Sequence, residues 1–182
     1  MEEKKKVRLC IISRMRDDAG EMHEIKTAHR GLLQKTAGGV VLEYDEDQDG
    51  EKAHIELTCE GARAQMLRKG MTSARLVFEQ GRRTSSAYVT IYGEIPVAVQ
   101  TRKVQMLGDE LGGKIMLDYA VFVGGDKTAD TLLVAMWRAR RRCATRQGRR
   151  SFQAEGEALC AFFRRAMRCS SATRREGAKA GR

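Results

Sequence analysis

One stretch, Ser85 to Met106, sets the tightest limit on what this chain can fold into. It reads Ser-Ser-Ala-Tyr-Val-Thr-Ile-Tyr-Gly-Glu-Ile-Pro-Val-Ala-Val-Gln-Thr-Arg-Lys-Val-Gln-Met. Tyr88, Thr90 and Tyr92 share one parity, and Val89 and Ile91 share the other. Beyond Gly93, the residues Ile95, Val97, Val99 and Thr101 fall on a single face. Successive side chains of a strand point to opposite faces, so period-two patterning on both sides of a glycine turn predicts a β-hairpin. β-Branched and aromatic residues dominate both arms, as a pleated, half-buried surface favours. Pro96, the only proline, stands at the start of the second arm, where a missing N–H is tolerated.

The rest of the chain repeats this grammar. Val7, Leu9, Ile11, Ser13 and Met15 alternate with Arg8, Cys10, Ile12 and Arg14, and Asp17-Asp18-Ala19-Gly20 reads as a turn. A second strand runs from Met22 to Lys35. Gly31 interrupts it, which predicts a bulge or a barrel corner. Further strands are read at Val40–Glu46, His54–Cys59, Gln65–Arg68, Arg75–Phe78, Ile115–Phe122 and Leu132–Met136, and the second arm of the central hairpin runs to Leu107. Gly- and Asp-containing turns separate them, and no crossover helix intervenes. Roughly eight to ten strands at this spacing predict an all-β, antiparallel, up-and-down barrel. Closure is preferred because it removes the edge strands. A barrel of this strand number holds either a filled core or one small ligand.

The net charge of +10 is not spread evenly. Residues 1–138 carry 21 Lys+Arg and 21 Asp+Glu, so the predicted barrel is neutral; the remaining 13 basic and 3 acidic residues fall in 139–182. That change marks a domain boundary, with a barrel over 1–138 and an arginine-rich tail over 139–182. The basic run Trp137-Arg138-Ala139-Arg140-Arg141-Arg142 crosses that boundary, and Arg146-x-x-Arg149-Arg150 lies within the tail. Ser151 fits the cap of a partial helix reaching Arg168, with Glu155 and Glu157 early and Arg164, Arg165 and Arg168 late. Three readings stay open. The tail is an arm for RNA or another polyanion, a disordered basic extension, or the product of an out-of-frame GC-rich reading, which enriches Arg, Ala, Gly, Ser and Cys.

Several function classes lack their signatures. No P-loop or G-x-G-x-x-G opens a helix, and no G-x-S-x-G occurs. No serine or cysteine has an argued histidine partner, so no catalytic residue is assigned and a non-enzymatic protein is expected. Five cysteines in no C-x-x-C arrangement, and three histidines without ligand spacing, imply neither a disulfide framework nor a metal centre, and no cofactor is called for. No run approaches the roughly 18 apolar residues of a membrane span. The first residues do not resemble a secretory signal, which makes a cytoplasmic location the expectation. Asp45-x-Asp47-x-Asp49-Gly50 followed by Glu56 fits the letters of a calcium-binding EF-hand loop. Its flanks alternate as strands rather than helices, so it is read as a solvated hairpin turn.

A series of landmarks then falls in order. These are Gly31; Tyr44 and Glu46; Arg68-x-Gly70; Phe78 and Gly81; Tyr88-x-Thr90-x-Tyr92-Gly93; Thr101; and Gly113-x-Ile115-x-Leu117-x-Tyr119. Over residues 5–137 this order and spacing resembles the YwiB family, a bacterial group of unknown function with a calycin-like β-barrel. The resemblance implies a calycin or lipocalin-like barrel and, by analogy of fold alone, a small hydrophobic or amphipathic ligand. The tail lies outside it. The candidate lumen or barrel-mouth residues are Tyr44, Glu46, Arg68, Tyr88, Thr90, Thr101 and Tyr119, the polar groups of an otherwise apolar interior. Arg68 is expected to pair with Glu46 or to meet an acidic ligand group. The competing reading is structural, with tyrosines tying their hydroxyls into the core and a buried arginine neutralised by a nearby acid. The alternative partners are a nucleic acid held by the tail and a protein bound to the barrel's outer surface.

Overall fold

The computed structural model describes residues 3–48 and 51–139. They form ten strands and no helix: β1 Lys5–Asp17, β2 Met22–Lys35, β3 Gly39–Gln48, β4 Glu51–Glu60, β5 Arg63–Lys69, β6 Ser73–Glu79, β7 Arg83–Thr90, β8 Gly93–Gly108, β9 Gly112–Val123 and β10 Asp126–Ala139. Each pairs antiparallel with its neighbours in sequence, and β1 pairs with β10 to close the barrel. Ala139 ends β10; the rest of the arginine-rich segment, including the predicted helix of Ser151–Arg168, lies outside the described residues.

Closure decides which parity is inside. Val7, Leu9 and Ile11 of β1, Leu42 and Tyr44 of β3, Leu76 and Phe78 of β6, Val97 and Val99 of β8, and Ile115 and Leu117 of β9 are buried and build one core with Trp137. A single-residue irregularity in β8 between Thr101 and Lys103 keeps that phase, since both Thr101 and Val104 are buried while Arg102 is exposed. On the outside, Arg102 ties three strands together by hydrogen-bonding Asp118 of β9 at 2.8 Å and Asp130 of β10 at 2.6 Å.

Gly31 is a corner rather than a bulge, because its register with β1 runs through it unbroken while pairing with β3 ends at it. A Cβ at this position would lie 2.5 Å from the Glu43 carbonyl oxygen and 2.5 Å from Leu9 Cδ1. Only a bare Cα lets β1, β2 and β3 approach so closely. Gly113 does the same at the far side. Its Cβ would meet the Leu107 carbonyl oxygen at 2.5 Å and the Trp137 ring at 2.5 Å.

The two ends of the barrel differ. The turns that follow β1, β3, β5, β7 and β9 gather at one end, here called the upper end; the other turns gather below. The lower half is filled. Trp137 is fully buried there, and its indole N–H donates to the Asp109 carbonyl at 2.8 Å. Nine of the eleven exposed large apolar side chains among the described residues lie at the upper end; Leu107 and Leu111 are the exceptions. Among the nine, Met15, Ile25, Ile95 and Val123 have the parity of the core. Ile25 is nevertheless 58% exposed, so the wall rises beyond the packed interior as an apolar rim.

Candidate functional site

A line of backbone pairings crosses the upper half of the barrel: Ile95–Tyr88–Ala74–Arg68–Ile55–Tyr44–Gly31. Every side chain on it shares the inward parity. β3 carries Tyr44 and Glu46 inward because Val40 and Leu42, two and four residues before Tyr44, anchor the same face in the core. β5 carries Arg68 inward by the same alternation from Ala64 and Met66. The two strands lie on either side of β4, whose inward residue beside Glu46 is Ala53. A methyl group there leaves room for the longer side chains to meet. Arg68 Nη1 donates to Glu46 Oε2 at 2.7 Å, and each side chain is 24% exposed.

Tyrosines extend this pair into a polar thread. Burial pushes the Tyr44 pKa far above the ordinary phenol value, and the nearby Glu46 carboxylate adds to the shift. Tyr88 also titrates high because it is buried, with Arg68 close enough to oppose the shift. Tyr119 is raised by burial and by the nearby Tyr88, with Thr131, its partner across β9 and β10, opposing the shift. Its ring lies 4.9 Å from that of Phe78, tilted by 58°. All three phenols therefore stay protonated at any ordinary pH and act as hydrogen-bonding groups rather than anions.

Thr101 pairs with Tyr119 across β8 and β9 and is fully buried, yet its hydroxyl has no hydrogen-bond partner among the described residues. An unsatisfied buried hydroxyl costs free energy, on the order of 1–3 kcal/mol. Thr90 stands apart from the thread. It sits at the tip of the β7–β8 hairpin, where its hydroxyl donates to the Gly93 carbonyl at 2.9 Å and accepts from the Tyr92 N–H at 3.1 Å. Six of the seven sequence-predicted residues thus face the lumen, and Thr90 serves a turn.

His29 belongs to the site and was not predicted for it. β2 pairs with β3 only from Gly31 to Lys35. Above that point His29 bridges the two strands, with Nδ1 3.0 Å from the Asp45 carbonyl and Nε2 2.8 Å from the Thr27 hydroxyl. A carbonyl only accepts, so Nδ1 carries the proton and Nε2 accepts from Thr27. Burial lowers the His29 pKa, with Glu46 opposing the shift. Its ring lies 4.9 Å from Tyr44. The available signal in the sequence was its parity, shared with Ile25, Thr27 and Gly31.

The Asp45–Glu56 segment has strands on both sides, as expected. Asp45 and Asp47 lie on β3, opposite His54 and Lys52, and Asp45 hydrogen-bonds His54 at 2.8 Å. Asp49 and Gly50 lie outside the described residues. No group of three or more His, Cys, Asp or Glu side chains among the described residues is placed to hold a metal ion. Surface depressions of about 310 Å³, lined by Lys6, Val7, Arg30, Gly31 and Leu32, and about 110 Å³, around Thr58 and Gln65, share no residue with the polar thread. The thread remains the better candidate because its polar groups converge.

Comparison with known proteins places this barrel. Residues 10–134 match the domain of unknown function DUF1934. The chain belongs to that family. Among solved structures, this DUF1934 barrel is similar to the crystal structure of the YwiB protein from Bacillus subtilis, at 22% identity and a TM-score of 0.69, covering 76% of this chain and 94% of that one. At that identity the likeness establishes the fold, a closed ten-stranded barrel, and nothing about chemistry. No curated protein matches the chain. Among the described residues of this DUF1934 member, no helix is long and apolar enough to cross a membrane.

Proposed function

We propose that this protein is a non-catalytic binding barrel that holds a small amphipathic ligand in the upper half of its lumen. One observation carries the reading: an inward-facing polar pair, Glu46 and Arg68, lies at the same upper end of the barrel as exposed core-parity apolar side chains, Met15, Ile25, Ile95 and Val123. A barrel whose only task is to fold gains little by placing an ion pair there, since a well-packed apolar pair is often as stable. A ligand with a polar head and an apolar body finds both requirements in one place. The filled lower half, plugged by Trp137, limits the ligand to a short one. The unpartnered Thr101 hydroxyl adds support, as an additional polar contact deeper on the same wall.

Native mass spectrometry of the full chain, purified gently from its own host, tests this. The expected result is a reproducible adduct of a few hundred daltons, the scale of a pocket-sized ligand, released on denaturation. It should be absent from the double variant Glu46→Gln/Arg68→Met with an unchanged circular dichroism spectrum. Bare protein mass for the wild type, joined to no thermal shift by any member of the ligand series described below, overturns it. The alternative partner, a nucleic acid bound through 139–182, concerns residues outside those described and gains no support from the barrel.

A further inference from the structure

Resting on the reading above, we propose that the ligand's head group has zero net charge and offers both a hydrogen-bond donor and an acceptor, as a primary amide or an amino-acid zwitterion does. The inference starts from the charge count of the site. Glu46 and Arg68 neutralise one another at 2.7 Å. The three tyrosines around them are held protonated, and His29 is biased toward its neutral form. The upper lumen is therefore neutral before anything binds. A net-charged head would leave one uncompensated charge in a partly desolvated space, which is unfavourable.

The pair is nonetheless under-used. Arg68 donates to Glu46 through Nη1, and no described residue accepts from its Nε or Nη2; a guanidinium carries five N–H donors in a planar fork. The Tyr88 hydroxyl beside it has no acceptor among the described residues. The Glu46 carboxylate takes a hydrogen bond from Arg68, while a carboxylate offers about four lone-pair sites. The complement of spare donors on Arg68 and Tyr88 next to spare acceptor capacity on Glu46 is a group that accepts at one atom and donates at the next. The packed floor then directs the apolar body upward, along Ile25, Ile95, Met15 and Val123.

The test is a matched series with one tail and four heads: octanamide, α-aminooctanoate, octanoate and octylamine. Each is titrated against the full chain by calorimetry, with ligand-observed NMR for weak binders. In the wild type, octanamide or α-aminooctanoate should bind at least roughly tenfold more tightly than either charged compound. Glu46→Gln makes the site cationic and should move octanoate to first place. Arg68→Gln makes it anionic and should move octylamine there. The double variant Glu46→Gln/Arg68→Gln is neutral again and should restore the preference for uncharged heads, which keeps the test open if a single variant fails to fold. If octanoate or octylamine binds the wild type best, the head-group inference is overturned and the binding barrel stands. If none of the four binds, the head-group inference falls, and the binding barrel falls with it only if the wild type also shows a bare protein mass.

Discussion

Replacing Glu46 by Gln is the sharpest probe of the barrel's interior. The substitution keeps the shape and leaves Arg68 as a cation without its counter-charge, three-quarters removed from solvent. Two unit charges at about 4 Å interact by roughly 4 kcal/mol at an effective dielectric of about 20. Breaking a fully buried pair from one side costs about 3–5 kcal/mol. With 24% of each side chain exposed, solvent screening reduces this, and a loss of about 2–3 kcal/mol is expected. For a domain of this size that lowers Tm by about 6–12 °C. Arg68→Met strands the carboxylate instead and should cost a similar amount. Glu46→Gln/Arg68→Met removes both charges and should return most of the stability, giving a coupling energy of about 2 kcal/mol in a double-mutant cycle. Urea unfolding followed by circular dichroism measures each corner. The coupling should change little between about 0.05 and 0.5 M NaCl, because a pair inside the wall is poorly screened. A single-variant loss below about 0.5 kcal/mol, or a coupling that collapses in salt, would show the pair to be an ordinary solvated one, and the neutral-site reasoning built on it would fail.

Other consequences are simpler to read. Gly113→Ala and Gly31→Ala each force a Cβ to within 2.5 Å of a backbone carbonyl oxygen, which cannot swing away as a flexible side chain would. Each should destabilise by about 3 kcal/mol or more in the same unfolding assay. The lowered pKa of His29 means that the unfolded chain binds its proton more readily than the folded one. Stability should therefore fall as pH drops below about 6.5, by at most about 1.4 kcal/mol per pH unit from this group, and His29→Gln should flatten the wild-type Tm between about pH 7.5 and 5.5. Cys59 is buried inside β4, and burial pushes its thiol up to about 11, with Glu60 adding to the shift. Iodoacetamide at about pH 8 should leave the Cys59 peptide unmodified in the native protein and label it after denaturation.

Much of the barrel was legible locally. The alternation of Val7, Leu9 and Ile11, of Val40, Leu42 and Tyr44, and of Ile95, Val97 and Val99 is a property of contiguous residues, as is the turn chemistry at Asp17–Gly20 and Gly124–Asp126. These read correctly as strands and hairpins. Gly31 was read as a bulge or a corner, and the unbroken register with β1 shows the corner, since the cause is the approach of Leu9 and Glu43 from other strands. Thr90 and Thr101 look alike in the sequence, as β-branched hydroxyl residues on the two arms of one hairpin. One is spent on a turn and the other is buried without a partner, because hairpin tips lie beyond the packed wall.

By itself, then, the sequence determined a strand count of roughly eight to ten, the antiparallel meander and the placement of excess positive charge in 139–182, because neighbour-to-neighbour periodicity and composition carry those facts. Alternation looks the same from either side of a sheet, so it could not say which parity would be enclosed. Pairing of β1 with β10 decided that, and with it the meeting of Glu46 and Arg68, 22 residues apart on strands separated by β4. The same closure set Trp137 as the floor and drew His29 into the gap where β2 leaves β3. Contacts of this kind arise only when distant strands are brought into one register, and no local pattern encodes them.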